Sequence, residues 1–504
     1  MSSSDGRTAP HAALLARASL AYLASPVFLF LGFWLRTPLN LVALAALVFV
    51  LARAFGALPV DGEAVRIWIR ANRRILGTAI LYLAFLMAYC GIGGLGVQRG
   101  DWIKHNAILQ ALSVGPWPTW VSLEDGSRPL VYYLAFYLIP GIAGRLTQSW
   151  LWVNVALLAW ALVGVVLSFL WFAFIAGRLN GRVLAAFFFV AGADVLGHTA
   201  RELFDIPLGL FNFWPPAWTN WAENLQFSSF STLLIWVPQH ALGGWLAGGV
   251  AWYLHQRSDL ARWGGLLAFL SAAWSPFVAV GIALICLAHS LVGGEWRYLR
   301  TENLVAAPLG LVLALYFASM EQSDQVVFGW YFFLPGGRVS SPTYYASWWL
   351  AVNFFDLWLF VLILRRWSRV GTQDRTALTL LAAGVTLLST VVVGTFNDVA
   401  MRTPISVFFI VCSLWAGMVT DVQVKSRAWW LAIFVFLTAL ATPIQEIMQN
   451  FPSEDHEISA ARTMEEVETF EEGSADDPLL RIYYFGDPNA AFFRYLAPPG
   501  PRPP

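Results

Sequence analysis

A carboxylate, an amine and an imidazole occur at Asp101, Lys104 and His105, and residues three and four positions apart share one face of a helix. Held together there, the three form an acid/base cluster able to take a proton from an acceptor hydroxyl. The plainer reading is that polar residues collect where an apolar helix ends, which would make these ordinary span-end residues. The loop continues as QALSVGPWPTWVSLEDGSRPLVYYLAFYL, adding Trp117, Trp120, Glu124, Asp125 and Arg128.

A second constellation lies in AGADVLGHTARELFD, where Asp194, His198, Arg201, Glu202 and Asp205 fall at helical spacings. Asp194 and His198 stand at the edge of an apolar run, where an ionisable group is costly enough to point to function. A ladder of self-satisfied ion pairs at a helix end is the structural alternative. Asp194 and His198 could also ligate a metal, although two ligands are too few to define one. His240 follows Pro238 between Trp236 and Trp245. It reads first as a structural histidine and, if it faces a cavity, as a ligand for phosphate or a sugar hydroxyl. Asp398 and Arg402, four apart, suit a local salt bridge or a phosphate site, and the planar guanidinium favours phosphate. Lys104, Arg128, Arg201, Arg338 and Arg402 are the cations available to a departing phosphate. A divalent cation, magnesium or manganese, could share that role.

The elements that position these groups are membrane elements. Of 504 residues, 58% are hydrophobic and 12% charged, about half the charge of a typical soluble domain. Mean hydropathy is +0.61. About 13 apolar runs of roughly spanning length follow one another, giving an all-α integral membrane fold with about 13 transmembrane helices. The first run lacks a small-residue cleavage site and is expected to remain as an anchor. Lys and Arg favour short cytoplasmic loops. The breaks holding Arg53 to Arg74, Arg178 and Arg182, Arg257 and Arg262, Arg297 and Arg300, Arg365 to Arg375, and Lys425 with Arg427 are therefore expected inside. That path puts the N-terminus in the cytoplasm and the C-terminus outside. Residues 1–447 form the membrane domain, with an outer loop at 97–149. Within that loop PLVYYLAFYLIPGIAGRL, residues 129–146, reads as an amphipathic interfacial helix on the outer face. Residues 448–504 turn acidic and polar, a small extracytoplasmic segment with a helix around 460–472, a strand at 480–485 and a disordered PPGPRPP end.

Zero net charge says nothing about nucleic acid and no basic run or aromatic-basic alternation suggests it, so no nucleic-acid partner is expected. Cys90, Cys286 and Cys412 lie in apolar runs and suit burial rather than disulfides. No Gly-Lys-Ser phosphate loop, dinucleotide fingerprint or His-Glu-x-x-His is present, which argues against direct use of ATP.

An acidic residue just after an early span, the amphipathic helix that follows, a Trp-Pro element and the Pro-Leu-Val-Tyr-Tyr start of the next helix together resemble the first outer loop of the GT-C membrane glycosyltransferases. The resemblance covers roughly residues 91–182, and its loop layout is similar to that of the aminoarabinose transferases and protein O-mannosyltransferases. Two departures are an extra hairpin of spans before the loop and Trp102 where a second acid would stand. The resemblance implies inverting transfer of a sugar from a polyprenyl-phosphate donor to a glycan, lipid or protein acceptor. It places the reaction at the outer face of a membrane, here a bacterial inner membrane, with Asp101 as general base. The alternatives are a transporter or flippase of a lipid-linked glycan, with charges along the midplane, and a glycan polymerase or ligase that relies on outer arginines.

Overall fold

The computed structural model describes residues 10–98, 100–123, 126–205, 225–320, 328–333, 342–394, 397–421, 426–450, 460–464 and 484–500. The chain is all-α. Its first third runs through α1 (Pro10–Trp34), α2 (Leu39–Ala57), α3 (Gly62–Tyr89), α4 (Asp101–Val114), α5 (Ala135–Thr147) and α6 (Trp150–Ile175). Next come α7 (Gly181–Phe189), α8 (Asp194–Asp205), α9 (Phe230–Trp236), α10 (Pro238–Gln256), α11 (Leu260–Trp274), α12 (Pro276–Gly293) and α13 (Thr301–Phe317). The last are α14 (Pro342–Asn353), α15 (Leu359–Leu364), α16 (Thr372–Leu388), α17 (Asp398–Arg402), α18 (Ile405–Val419), α19 (Arg427–Ala439) and α20 (Ala441–Gln449). Two short antiparallel ribbons are the only sheets among the described residues: β1 (Trp120–Leu123) with β2 (Gly126–Pro129), and β3 (Phe328–Trp330) with β4 (Val391–Val393).

Local chemistry sets the boundaries. Asp61, Asn180, Ser275 and Ser426 accept backbone N–H bonds at the starts of α3, α7, α12 and α19, satisfying donors that a helix start leaves open. Pro238 and Pro276 occupy first helical positions, where a missing N–H costs nothing.

Among the described residues seven helices are long and apolar enough to cross a membrane: His11–Trp34, Leu39–Ala57, Trp150–Ile175, Pro276–Gly293, Tyr345–Leu364, Asp398–Val419 and Arg427–Gln449. The bent pair Gly181–Phe189 and Asp194–Ala200, angled by 43°, would make eight. This corrects the expected count of about thirteen. The shortfall has a physical cause: α11 has 15 residues and α13 and α16 have 17 each, below the roughly 20 that a bilayer core requires. α3 carries Arg66, Arg70, Arg73 and Arg74 in its first half. The apolar side chains that α2 leaves exposed, Leu41, Val42, Val48 and Phe49, would face lipid rather than water.

α10 is the buried axis, packed against α6, α11, α12 and α18. Its glycines permit that approach: a Cβ at Gly244 would lie 2.4 Å from Ile405 Cγ2, and one at Gly249 would lie 2.4 Å from Trp171 Cγ. Small residues of this kind let apolar helices meet closely where lipid supplies no hydrophobic drive.

The two ends of the bundle differ. At one, Glu302 at the start of α13 pairs with Arg53 at 2.9 Å and Arg262 at 2.7 Å. There too, Asp421 after α18 pairs with Arg178 at 3.0 Å and Arg369 at 2.8 Å. At the other lie α4, the β1–β2 ribbon and the chain's last described residues. The stretch expected to be one helix over 129–146 divides into a non-helical run at Val131 to Tyr133, bent at Tyr132, and then α5, packed on α4, α6 and α1. The tail is stitched to this end. Val131 N–H donates to Tyr484 O at 2.9 Å, Gly486 N–H to Pro129 O at 2.9 Å and Asp487 N–H to Ser319 O at 2.8 Å. Phe492 packs between Phe30 and Tyr316. The helix expected at 460–472 and the strand at 480–485 lie mostly outside the described residues. Of the PPGPRPP end, Gly500 sits against the Trp120 ring, so the start of that run is packed rather than disordered.

Candidate functional site

The position of α4 follows from a proline. Pro238 has no N–H and starts α10 just after α9 ends, so carbonyls near the break lose their helical partners. Two of them accept from α4 instead: Trp102 Nε1 donates to Ile235 O at 2.9 Å, and His105 Nε2 lies 2.9 Å from Trp236 O. A carbonyl can only accept, so Nε2 carries the His105 proton and Nδ1 accepts from the Tyr137 hydroxyl at 2.6 Å. Burial, reinforced by the charge of Lys104, pushes the His105 imidazole down to about 4. It is therefore a neutral, doubly bonded strut at neutral pH.

With α4 so held, Asp101 and Lys104 form a salt bridge at 2.9 Å. Burial works against ionisation of Asp101, but Lys104 and, more weakly, His105 and Arg402 outweigh it and hold the carboxyl below its usual range. Burial also works against the Lys104 ammonium, and the Asp101 carboxylate more than offsets it, so that the amine is raised. The Asp101 side chain keeps 31% of its surface accessible. An ionised carboxylate that solvent or substrate can still reach is the result.

Around this pair stand aromatic and cationic groups from distant parts of the chain. Arg402 is braced by Asp398 at 3.0 Å and lies over the Tyr133 ring at 5.6 Å from its centroid. Tyr132 packs against Tyr133, Tyr137 and Tyr484, with centroids 4.6, 6.2 and 5.2 Å away. Burial raises the Tyr132 and Tyr133 phenols, leaving both as neutral hydroxyls. His240 meets Tyr133 edge-on at 5.0 Å, and neither of its buried ring nitrogens has a hydrogen-bond partner among the described residues. Gln239, beside it, places its amide 3.5 Å from the Tyr132 hydroxyl.

Five of the residues singled out in the sequence thus share one region: Asp101, Lys104, His105, His240 and Arg402. Arg128 lies on β2 opposite Val121. Glu124, Asp125 and Arg338 lie outside the described residues, as do the side chains of Arg201 and Glu202 on α8. Asp194 and His198 belong to a different place. Asp194 is buried, accepts from the Thr442 hydroxyl and is in side-chain contact with the fully buried Asp356. Three irregularities meet there: the break between α7 and α8, a π-turn at Phe354–Trp358 and the junction of α19 with α20. Gly192 makes room in the break, since a Cβ there would lie 2.6 Å from Asp356 Cγ.

Sequence reasoning missed Asp356, Tyr132, Tyr133, Tyr137 and Tyr484 as members of these sites. Asp356 did carry a signal, being the lone acid in AVNFFDLWLF, where an ionisable group at membrane depth stands out. The tyrosines carried none beyond the interfacial aromatic pattern. Among the described residues no group of three or more His, Cys, Asp or Glu side chains is arranged to hold a metal ion. No family model, curated protein or solved structure matches this chain.

Proposed function

We propose that the protein is a membrane glycosyltransferase of the GT-C kind, moving a sugar from a polyprenyl-phosphate donor to a hydroxyl acceptor at the α4 end of the bundle. What supports this reading above all is Asp101: an ionised, accessible carboxylate beside a locked ammonium, in reach of the Arg402 charge. Asp101 takes the acceptor proton as the hydroxyl oxygen bonds to the anomeric carbon. The bond from that carbon to the donor phosphate breaks, and its electron pair leaves on the phosphate. Lys104 and Arg402 are the cations that meet the departing charge, and the tyrosine hydroxyls donate to sugar or phosphate oxygens. This assigns the α4 end to the outer face of a bacterial inner membrane, with the N-terminus inside and the C-terminus outside. A divalent cation, if used, would arrive with the donor.

The test is sugar transfer by purified protein from a panel of polyprenyl-phosphate sugars, wild type against Asp101→Asn, with expression and thermal unfolding matched first. Transfer by wild type that drops roughly 10²-fold or more in the variant is expected, the scale of a lost general base.

The Asp194–Asp356 contact favours a second reading, a transporter of a lipid-linked glycan. Carboxyls buried at helix breaks are the pattern of coupled transport. No transfer from any donor, together with movement of a donor lipid across vesicles that Asp356→Asn abolishes, would replace the first reading with this one.

A further inference from the structure

α3 is a single helix of 28 residues with two different sides. Val65, Ala79, Leu83, Leu86 and Met87 are buried, and the helix packs on α6 and α1. The other side is open along its length and changes character halfway. Arg66, Arg70 and Arg74 lead at steps of three or four to Gly77, Leu81 and Phe85, with Arg73 and Ile80 beside them, so all lie on one face. The four arginines are exposed, and so are Ile80, Leu81 and Phe85, Leu81 with 74% of its surface open.

The depth at which the face changes is set by α1. Trp68 stacks on His11 with ring centroids 4.1 Å apart, and the first candidate span begins at His11. Trp68 therefore lies where α1 enters the membrane, the level that tryptophan favours. At about 1.5 Å per residue, Arg70 to Arg74 stand roughly 3–9 Å beyond it, from where long side chains reach back to the headgroups. Gly77, Ile80 and Leu81 follow within two turns, at the depth of acyl chains.

These arginines are uncommitted. Elsewhere at this end Arg53 and Arg262 are taken by Glu302, and Arg178 and Arg369 by Asp421. On α3 the only acid is Glu63, in the first turn. Among the described residues none of the four arginines pairs with a carboxylate; Arg66 Nε donates to Gly62 O at 3.1 Å. Four like charges within nine residues of one helix repel one another, so a counter-charge is stabilising. An acidic peptide or an anionic lipid can supply it, and the apolar continuation decides between them. A peptide held at the arginines leaves Ile80 and Leu81 uncovered. A phospholipid sets its phosphate among guanidinium groups suited to it and lays an acyl chain over Gly77, which faces open space, onto Leu81.

We propose that the exposed face of α3 binds an anionic phospholipid of the leaflet at the arginine end, with the phosphate on Arg70, Arg73 and Arg74 and one acyl chain along Gly77, Ile80 and Leu81. The site does not depend on sugar transfer.

The experiment delipidates the purified full chain in non-ionic detergent and titrates it with phosphatidylglycerol or phosphatidylcholine, counting bound lipid by native mass spectrometry. Wild type is expected to take phosphatidylglycerol in preference. Arg70→Gln, Arg73→Gln and Arg74→Gln together should weaken that binding roughly 100-fold, about fivefold for each arginine. The same loss of charge at three exposed arginines on other elements of this end, Arg182→Gln, Arg366→Gln and Arg427→Gln, should leave it nearly unchanged. Ile80→Gln with Leu81→Gln keeps every arginine and should also weaken it. Should that variant fail to fold, phosphatidylglycerol with short acyl chains, offered to wild type, reads the same point by binding more weakly than the long-chain lipid. Equal binding of the two headgroups by wild type, or equal losses in the two arginine variants, overturns the proposal. Binding indifferent to Ile80, Leu81 and acyl length also overturns it and gives the arginines to an acidic protein segment.

Discussion

Acids at the two ends of this bundle are handled in opposite ways. At the arginine end, Glu302 and Asp421 are almost wholly buried and each meets two guanidinium groups. In each, one carboxylate oxygen, Oε1 of Glu302 and Oδ2 of Asp421, is shared by two arginines from different parts of the chain. At the α4 end, Asp101 has, among the described residues, the Lys104 ammonium as its ion-pair partner and an open side. Between the two, Asp194 has another acid for its neighbour. Paired guanidiniums make a buried carboxylate a fastener, because removing one partner strands a charge. A carboxylate with one cation and access to the outside retains lone pairs for chemistry. The difference separates structural acids from reactive ones without reference to where each stands in the sequence.

The sharpest way to break that distinction is to exchange the outcomes. Asp101→Asn is expected to lower transfer by roughly 10²–10⁴-fold while leaving thermal unfolding in detergent close to wild type. Asp421→Ala is expected to do the reverse. It strands Arg178 and Arg369 and should cost about 3 kcal/mol, the low end for a broken buried pair, because both arginines keep some solvent contact. Any mature protein that survives should retain its turnover per folded molecule. If Asp421→Ala lost turnover at unchanged stability, the acid would have to be counted as functional.

Part of this was legible in the sequence. Asp101, Lys104 and His105 could be placed on one helical face from spacing alone, and Arg402 and His240 singled out from residue type. Their meeting depends on Pro238 releasing the Ile235 and Trp236 carbonyls, and on the tail's return past Leu130, neither of which has a local signature. The span count failed for a related reason. Hydropathy sums apolar residues without regard to whether they face lipid or α10, so short buried helices such as α11 looked like complete spans. The sequence placed His105 in an acid/base cluster with Asp101 and Lys104 without fixing its protonation state. Spacing gives the face, but only the carbonyl of Trp236 and the hydroxyl of Tyr137 fix the ring as neutral.

That neutrality predicts a pH dependence. The unfolded imidazole has its ordinary value of 6.5 and the folded one about 4, so below 6.5 the unfolded chain binds more protons. Stability contributed by His105 is complete above pH 6.5, falls as pH drops toward 4 and levels off below it. The loss is at most about 3 kcal/mol. Thermal unfolding of wild type across that interval should show a steeper decline than that of His105→Asn, and parallel slopes would sink the assignment. Asp101 has the opposite consequence for activity. Its carboxyl is held below the usual range, so the acid limb of transfer should lie below the value of about 3.9 of a free aspartate, not near neutrality.

The smallest effect expected is at Trp102. Its indole N–H is one of the two bonds that fasten α4 to the break before α10, and Trp102→Phe leaves the Ile235 carbonyl buried without that donor. The cost to stability is about 1–2 kcal/mol, the penalty for one unsatisfied buried group, since the phenyl ring retains most of the packing. His105 still holds Trp236, so α4 should pivot rather than detach. Asp101 lies one residue before the lost anchor and Lys104 lies beyond it, so a pivot changes their separation and orientation before it unfolds anything. Turnover should therefore fall several-fold while the acceptor-binding constant changes little. Equal losses in Trp102→Phe and in a distant packing variant such as Gly244→Ala, measured per folded molecule, would mean that α4 needs no fixed pose and that Asp101 is not the base.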